Sequence, residues 1–137
     1  MATIKTLYVG NLRTEATHLA SGNTVITDAP TDNNGKGEAF SPTDLTCASL
    51  SSCMMTLMGI LAEREGIALK GTQMEITKTM EYNPRRISKI QVDFTLISRD
   101  ELSEAQKEKL QRAAITCPVA MSLHPDIQQV VNFSWSR

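Results

Sequence analysis

The segment from Leu45 to Ala62 contains no charged residue, and this feature constrains the fold of the chain more than any other. Its length approaches that of a membrane-spanning helix. Five hydroxyl side chains interrupt it, at Thr46, Ser49, Ser51, Ser52 and Thr56. A helix that is uncharged on all sides but rich in small hydroxyl residues fits best where protein encloses most of it, a partner subunit included. The segment therefore predicts a central helix in a dimer, with no membrane contact.

Local signals place both ends of this helix. Ser41 is a suitable N-cap, and Pro42 follows at the first helical position. Asp44 adds a carboxylate in the first turn, where it favours the helix dipole. Gly66 is a residue at which a helix readily stops. The sequence therefore predicts a helix from Pro42 to about Glu65.

Short β-prone runs flank the helix and predict strands. Three precede the helix, and two longer runs joined by a turn follow it. The predicted strands are Ile4 to Val9, Leu12 to His18, Thr24 to Thr27, Leu69 to Glu81 and Ile87 to Arg99. Residues 28–41, between the third strand and the helix, are dense in Pro, Gly, Asn and Asp, which predicts an exposed loop.

The C-terminal part of the chain predicts a second helix and a last strand. Ser103 is a suitable cap for the amphipathic segment after it, and Pro118, directly after Cys117, is expected to break that helix. A short turn from Val119 to Leu123 then leads to a strand from Ile127 to Trp135. The predicted order is βββ-α-ββ-α-β, which is typical of an α+β domain built on a mainly antiparallel sheet.

Size and charge limit the classes of function. A chain of 137 residues lies in the usual range for one domain, and we predict a single domain over residues 1–137. The 14 Lys and Arg nearly balance the 15 Asp and Glu, so the sequence lacks the basic surface expected of a protein that binds nucleic acid or an anionic membrane. No secretory signal pattern follows Met1, which favours a cytoplasmic location.

Three cysteines, Cys47, Cys53 and Cys117, are the candidate reactive groups. An odd number of thiols in a reducing compartment argues against a disulfide scaffold, and neither a CxxC motif nor zinc-ligand spacing is present. Taken alone, Cys53 inside the uncharged helix is most simply a packing residue. Cys117 lies at a helix break, where its side chain can be presented at a crevice. Together the two thiols suit a peroxidatic and resolving pair, because a sulfenic acid condenses readily with a neighbouring thiol.

Four segments resemble the motifs of a known family. They are residues 8–13 (Tyr-Val-Gly-Asn-Leu-Arg), 41–45 (Ser-Pro-Thr-Asp-Leu), 51–53 (Ser-Ser-Cys) and 117–120 (Cys-Pro-Val-Ala). With the Gly-rich loop, the long helix and the last strand in the same order, the chain resembles the OsmC and organic hydroperoxide resistance (Ohr) family over nearly its whole length. The resemblance is specific because it includes two cysteine motifs at the family separation.

This resemblance implies an intertwined homodimer whose central helices lie back to back, with each site at the subunit interface. It implies that the Cys53 thiolate attacks a peroxide oxygen and that Cys117 captures the resulting sulfenic acid as a disulfide. No metal, flavin or other cofactor is required, and a dithiol or a lipoylated protein supplies the electrons. We therefore expect a thiol peroxidase that reduces organic hydroperoxides or hydrogen peroxide in oxidative stress defence.

The family site also contains an arginine that stabilises the thiolate and a glutamate that holds the arginine. Arg13 matches the arginine, and an exposed strand arginine with no such role is an equal explanation on the sequence alone. Thr43 occupies the position of the glutamate, and the next residue, Asp44, is the nearest acid. Asp44 either caps its own helix or pairs with Arg13, and Glu38 in the loop is a further candidate acid.

Two other classes of function stay open at this point. One is a non-enzymatic module that binds a hydrophobic small molecule, with cysteines that no longer react. The other is a cysteine-based redox sensor that signals through a partner protein. Consumption of peroxide coupled to a dithiol separates the peroxidase from both.

Overall fold

The structure is a computed structural model that describes residues 1–136, and it consists of two compact units. The first unit is Met1–Thr46, and the second begins at Cys47. The elements are β1 (Ile4–Gly10), β2 (Arg13–His18), β3 (Thr24–Asp28), α1 (Pro42–Arg64), β4 (Gln73–Glu81), β5 (Arg86–Ile97), α2 (Glu104–Ile115), α3 (Pro118–Ser122) and β6 (Gln128–Ser136). A single 3-10 turn, Thr31–Asn33, lies between β3 and α1.

The first unit contains a three-stranded antiparallel sheet in the order β1, β2, β3. A tight turn at Asn11 and Leu12, both with positive φ, joins β1 to β2, so that β2 begins at Arg13. The Leu12 N–H donates a hydrogen bond to Tyr8 Oη at 3.2 Å, which holds the turn against β1. The register of β2 with β3 sets Arg13 directly opposite Asp28. Residues in such a pair have their side chains on the same face of the sheet.

The loop after β3 is mostly exposed, as its composition predicts, and its own backbone contacts fix its path. The Asp28 N–H donates to the carbonyl of Phe40 at 3.0 Å, which returns the loop to the end of β3. A β-carbon at Gly35 would lie 1.7 Å from the carbonyl oxygen of Ala29, so only glycine fits at this position.

Both ends of α1 follow from local chemistry. Ser41 Oγ accepts a hydrogen bond from the Asp44 N–H at 3.0 Å, and Asp44 Oδ2 accepts one from the Ser41 N–H at 3.1 Å. These two reciprocal bonds form a capping box. At the other end Gly66 has a φ of 69°, and the N–H of Ile67 donates to the carbonyl of Ala62 at 2.8 Å. This is the Schellman arrangement that ends helices at a left-handed glycine.

The second unit has a three-stranded sheet in the order β4, β5, β6, in which β4 and β5 are antiparallel and β5 and β6 are parallel. Alternate residues of β5 point into a hydrophobic core with α1 and α2. Its fully buried members include Leu50, Met54, Met58, Ile90, Val92, Leu96, Leu110 and Ala114. Phe94 of β5 stacks on Phe133 of β6 with 5.0 Å between ring centroids, which joins the two parallel strands across this core.

Helix α1 is long and apolar enough to cross a membrane by length and composition alone. Five of its residues lie in the core of the second unit: Cys47, Leu50, Met54, Met58 and Ala62. They recur every three or four residues, which is the spacing of one helix face. On another side of the helix Ser52, Thr56 and Ile60 are exposed. Core packing on one face thus accounts for much of the apolar character of this helix.

The α+β class is confirmed, and α1 ends within one residue of its predicted end. In the second unit the structure adds one feature that the sequence did not predict and corrects one expectation. Strand β6 pairs with β5 in parallel, so this sheet is mixed. Residues 118–122 form the short helix α3 where a turn was expected, because Pro118 sits at the first helical position, where its missing N–H costs no hydrogen bond.

Candidate functional site

Cys53 lies on α1 beside the buried row of that helix. Met54, the next residue, is fully buried, whereas Cys53 is only partly buried and packs against the edge of the core. A helix turns by about 100° per residue, so the side chain next to a core position lies at the border between core and surface. Cys53 therefore packs against the core and, as a residue, keeps part of its surface exposed.

Cys117 occupies a different kind of position, between α2 and α3. It is the N-cap of α3, and its Sγ accepts a hydrogen bond from the backbone N–H of Ala120 at 3.5 Å. Its own N–H donates to the carbonyl of Ala114 at 3.3 Å. The side chain has 0% exposure, so Cys117 is a member of the hydrophobic core as well as a helix cap.

The side chains of Cys53 and Cys117 are close enough for Cys53 to affect the ionisation of the Cys117 thiol. Burial raises the pKa of the Cys117 thiol, and the neighbouring Cys53 raises it further. The backbone N–H of Ala120 acts in the opposite direction, because it donates to the sulfur. Two neighbouring thiols can form a disulfide, and either one can capture an oxidised sulfur on the other.

The exposure of Cys117 differs from that expected. The sequence predicted an enclosed Cys53 and a Cys117 presented at a crevice, but Cys117 is fully buried and Cys53 keeps some surface. The reason is that Pro118 starts α3, and the cap of that helix turns Cys117 Sγ back toward the Ala120 N–H inside the core. The third thiol, Cys47, is a core residue with 3% exposure.

Arg13 is part of a charged cluster inside the first unit. Its Nε donates to Asp28 Oδ1 at 2.7 Å and its Nη2 to Asp28 Oδ2 at 2.8 Å, which makes a bidentate ion pair. Nη2 also donates to Glu38 Oε1 at 3.1 Å. The guanidinium is therefore held by two carboxylates, one from the neighbouring strand and one from the loop.

Asp28 is the buried member of this cluster, with 1% exposure. The hydrogen bond from Arg13 lowers the pKa of Asp28 below its ordinary value, although burial acts in the opposite direction. The same hydrogen bond raises the pKa of Arg13. Asp28 Oδ2 also accepts the backbone N–H of Glu38 at 3.1 Å, so one carboxylate positions both the arginine and the loop.

Sequence reasoning missed Asp28 as the acid that holds Arg13. Of the two roles left open for Asp44, capping its own helix is the one that the structure displays, through the reciprocal bonds with Ser41. Glu38 does contact Arg13, as the sequence allowed. The missing signal was the pairing of β2 with β3, which places Asp28 opposite Arg13.

The protein has a two-sheet α+β fold with two thiols, one on the long helix α1 and one that caps the short helix α3. These features define a class of dithiol protein. The chain belongs to the OsmC-like protein family, whose model matches residues 35–131. The family expected from the cysteine motifs is thereby confirmed.

Solved structures of similar proteins cover almost the whole chain. A protein from Psychrobacter arcticus 273-4, provisionally named an osmotic stress induced and detoxification response protein, is 49% identical, with a TM-score of 0.92 over 98% of this chain and 96% of that chain. An OsmC-like protein from Mycoplasma pneumoniae has 18% identity and a TM-score of 0.80, over 98% of this chain and 96% of that chain. An organic hydroperoxide resistance protein OsmC from Legionella pneumophila has 18% identity and a TM-score of 0.70, over 98% of each chain. No curated protein gives a significant match.

Proposed function

We propose that this protein is a thiol peroxidase that reduces organic hydroperoxides or hydrogen peroxide through Cys53 and Cys117, in oxidative stress defence. The observation that carries this proposal is the proximity of the two thiols, which come from sequence positions 64 residues apart. The family supports it, since the similar protein from Legionella pneumophila is named for resistance to organic hydroperoxides.

The reaction has three balanced steps. The Cys53 thiolate attacks one peroxide oxygen, the O–O bond breaks, and an alcohol or water leaves with a proton, so that Cys53 becomes a sulfenic acid. The sulfur of Cys117 then displaces water from Cys53 and forms a disulfide. A dithiol or a lipoylated protein finally supplies two electrons and two protons, which restores both thiols.

The different surroundings of the two thiols support this division of roles. The thiolate is the nucleophile in such reactions, and the raised pKa of Cys117 disfavours its thiolate. Cys53 retains some exposed surface, which a peroxide needs in order to reach sulfur. Cys117 has no exposed surface but lies close to Cys53, which suits a thiol that reacts only after its neighbour is oxidised.

We assign Arg13 the role of stabilising the thiolate, as the family resemblance implies. The bidentate pair with Asp28 supports this assignment, because it fixes the guanidinium in one orientation before any substrate arrives. Asp28 and Glu38 take the place of the family glutamate in this scheme. Asp44 contributes through the cap that begins α1.

A homodimer is also part of this proposal. The small sheet of the first unit exposes apolar side chains on both of its faces, and a large exposed apolar area on a folded protein usually marks an interaction surface. They are Ile4, Leu7, Tyr8, Val9, Leu12, Val25 and Ile26. A second copy of the chain is the partner that the family resemblance implies. The cytoplasm is the proposed compartment because reduced thiols persist there.

Peroxide consumption coupled to a dithiol tests the proposal. We expect catalytic loss of cumene hydroperoxide with dihydrolipoamide as reductant, none with Cys53→Ser, and full activity with Cys47→Ala as the matched control. Wild-type protein that is oxidised once and never turns over would instead support the redox sensor. Protein whose Cys53 stays reduced in excess peroxide would support the binding module.

A further inference from the structure

The two neighbouring thiols differ in the direction from which a third sulfur can approach them. Cys53 keeps some solvent-exposed surface, whereas Cys117 has none and lies in the core with Ala114 and Ala120, which are also buried. This difference matters for the return half of the cycle, in which an external thiol must attack one of the two sulfurs of the disulfide.

We propose that an external dithiol reduces the Cys53–Cys117 disulfide by attacking Sγ of Cys53, with Sγ of Cys117 as the leaving group. This inference rests on the proposed function, since it concerns the disulfide that the peroxidase cycle produces. It assigns the reductant and the peroxide to the same sulfur, and it assigns Cys117 a role in reduction as well as in capture.

The geometry of thiol–disulfide exchange carries the argument. The incoming sulfur attacks along the axis of the breaking S–S bond, from the side opposite the leaving sulfur. An attack on Cys53 with Cys117 leaving arrives from the side away from the buried thiol. An attack on Cys117 would have to arrive through the core, where that residue has 0% exposure.

The ability of Cys117 to act as a leaving group has one factor against it and one in its favour. We expect both to matter less than whether an external thiol can reach the sulfur. A raised pKa makes Cys117 a slower leaving group, because a thiol of lower pKa leaves faster. The Ala120 N–H offsets this, because it donates to the same sulfur at 3.5 Å in the reduced protein. We expect access to decide the site of attack, because a sulfur with no exposed surface reacts only when the structure around it opens.

The step is balanced as an exchange followed by ring closure. The first thiolate of the dithiol bonds to Sγ of Cys53, the Cys53–Cys117 bond breaks, and Cys117 leaves as a thiolate that takes a proton. The second thiol of the reductant then attacks the reductant sulfur that is bonded to Cys53. The mixed disulfide breaks, and Cys53 leaves as a thiolate that takes a proton. The dithiol becomes a cyclic disulfide, and the protein gains two electrons.

A monothiol stops this sequence at the mixed disulfide and tests the inference. The disulfide is formed with diamide instead of peroxide, in the Cys47→Ala background. The reduction step is thus tested even if the protein does not react with peroxide, and the two failures can be told apart. Brief exposure to 2-mercaptoethanol, an acid quench and N-ethylmaleimide labelling are followed by mass mapping. The small neutral thiol is chosen because it has the best chance of reaching Cys117.

We expect the mercaptoethanol adduct on Cys53 and the maleimide label on Cys117, with a preference of about tenfold or more at the earliest times. An adduct mainly on Cys117, or a disulfide that resists the monothiol, would overturn the inference. Single-thiol variants give a second measurement that needs no disulfide. In the Cys47→Ala background, Cys117→Ser, which keeps only Cys53, is expected to react with Ellman's reagent at least about tenfold faster than Cys53→Ser, which keeps only Cys117. Equal rates would contradict the proposed difference in access.

Discussion

Arg13 and Asp28 form a bidentate ion pair across strands β2 and β3, with N–O distances of 2.7 and 2.8 Å. The two residues are direct partners in the strand register, so the contact requires no long-range adjustment of the backbone. Because Asp28 is buried, its carboxylate is stable only while Arg13 and the Glu38 N–H satisfy it. The stability of the N-terminal sheet therefore depends on the ionised state of the Asp28 carboxyl group.

The pH dependence of stability follows from this pair. The pKa of Asp28 is lowered in the folded protein, so its contribution is present above the ordinary aspartate pKa of about 3.9 and is lost as pH falls through the folded value. We expect Asp28→Asn to lower the denaturant midpoint at pH 7. The difference from wild type should shrink as pH falls below about 4.

Glu38→Gln is the matched control for Asp28→Asn. Glu38 contacts the same arginine, but its side chain is 65% exposed, and exposed ion pairs contribute about 1 kcal/mol or less. We therefore expect a much smaller shift of the midpoint. Equal shifts for the two variants across the pH range would show that the buried pair has no special role.

Peroxide should join Cys53 to Cys117. The two thiols are close enough for one to affect the ionisation of the other. A disulfide between them requires α-carbons closer than about 7 Å, after a local adjustment where needed. Mass mapping after one equivalent of peroxide should find this linkage and no linkage to Cys47. Cys117→Ser should leave Cys53 as a sulfenic acid that excess peroxide oxidises further, because no neighbouring thiol captures it. A Cys47 linkage in the wild type would contradict the two-cysteine cycle.

Cys117 should be slow to alkylate at neutral pH. Burial is the largest cause of its raised pKa, and it persists when Cys53 is replaced by serine. In Cys53→Ser with Cys47→Ala, we expect iodoacetamide labelling of Cys117 to rise only above the ordinary thiol pKa of about 8.5. The stability linked to this protonated thiol is present below that pH and is lost as pH rises through the folded pKa, so unfolding should become easier in alkali. A labelling midpoint below 8 would contradict the assigned environment.

The assigned role of Arg13 predicts slower oxidation when the guanidinium is removed. We expect Arg13→Ala to slow sulfenic acid formation at Cys53 by about tenfold or more, which corresponds to about 1.4 kcal/mol of lost charge stabilisation. Arg13→Lys keeps the charge but loses the planar fork that binds Asp28, and we expect an intermediate rate. Stopped-flow mixing with hydroperoxide, on variants checked for folding, measures both. Unchanged rates would remove Arg13 from the site.

Asp44→Asn tests whether the first turn of α1 needs a charge. Asparagine can still accept the Ser41 N–H, so the capping box survives, and the interaction of the carboxylate with the helix dipole is lost. We expect a loss of about 0.3–1 kcal/mol in the free energy of unfolding and an unchanged rate of Cys53 oxidation. A large fall in that rate in a stably folded variant would assign Asp44 to the chemistry.

Local signals were enough for the parts of the fold that local interactions determine. The ends of α1 were predicted correctly because the capping box at Ser41 and the left-handed Gly66 involve residues within one turn of each other. The parallel pairing of β6 with β5 was not predicted, because register between strands distant in the sequence depends on how the core closes. The same reason hid Asp28, whose role appears only when β2 and β3 are aligned.

For the two thiols, too, the nearby sequence identified the residues but did not predict their burial. The motifs around Cys53 and Cys117 identified both residues, but they could not supply the exposure of either one. Pro118 was predicted to break a helix, whereas it begins α3, and the Sγ of Cys117 caps this helix. Burial of that sulfur depends on core residues such as Leu110 and Ala114, which lie outside the motif that contains Cys117.

The hydrogen bond from the Ala120 N–H to Cys117 Sγ makes a main-chain amide into a reporter of the oxidation state. When the sulfur turns toward Cys53 to form a disulfide, this amide loses its acceptor at the start of a five-residue helix. Its proton chemical shift and its rate of exchange with deuterium should then change, while amides in the middle of α1 should not. A single resonance in a nitrogen-15 spectrum would thus follow the redox cycle in real time, without a dye or a coupled enzyme.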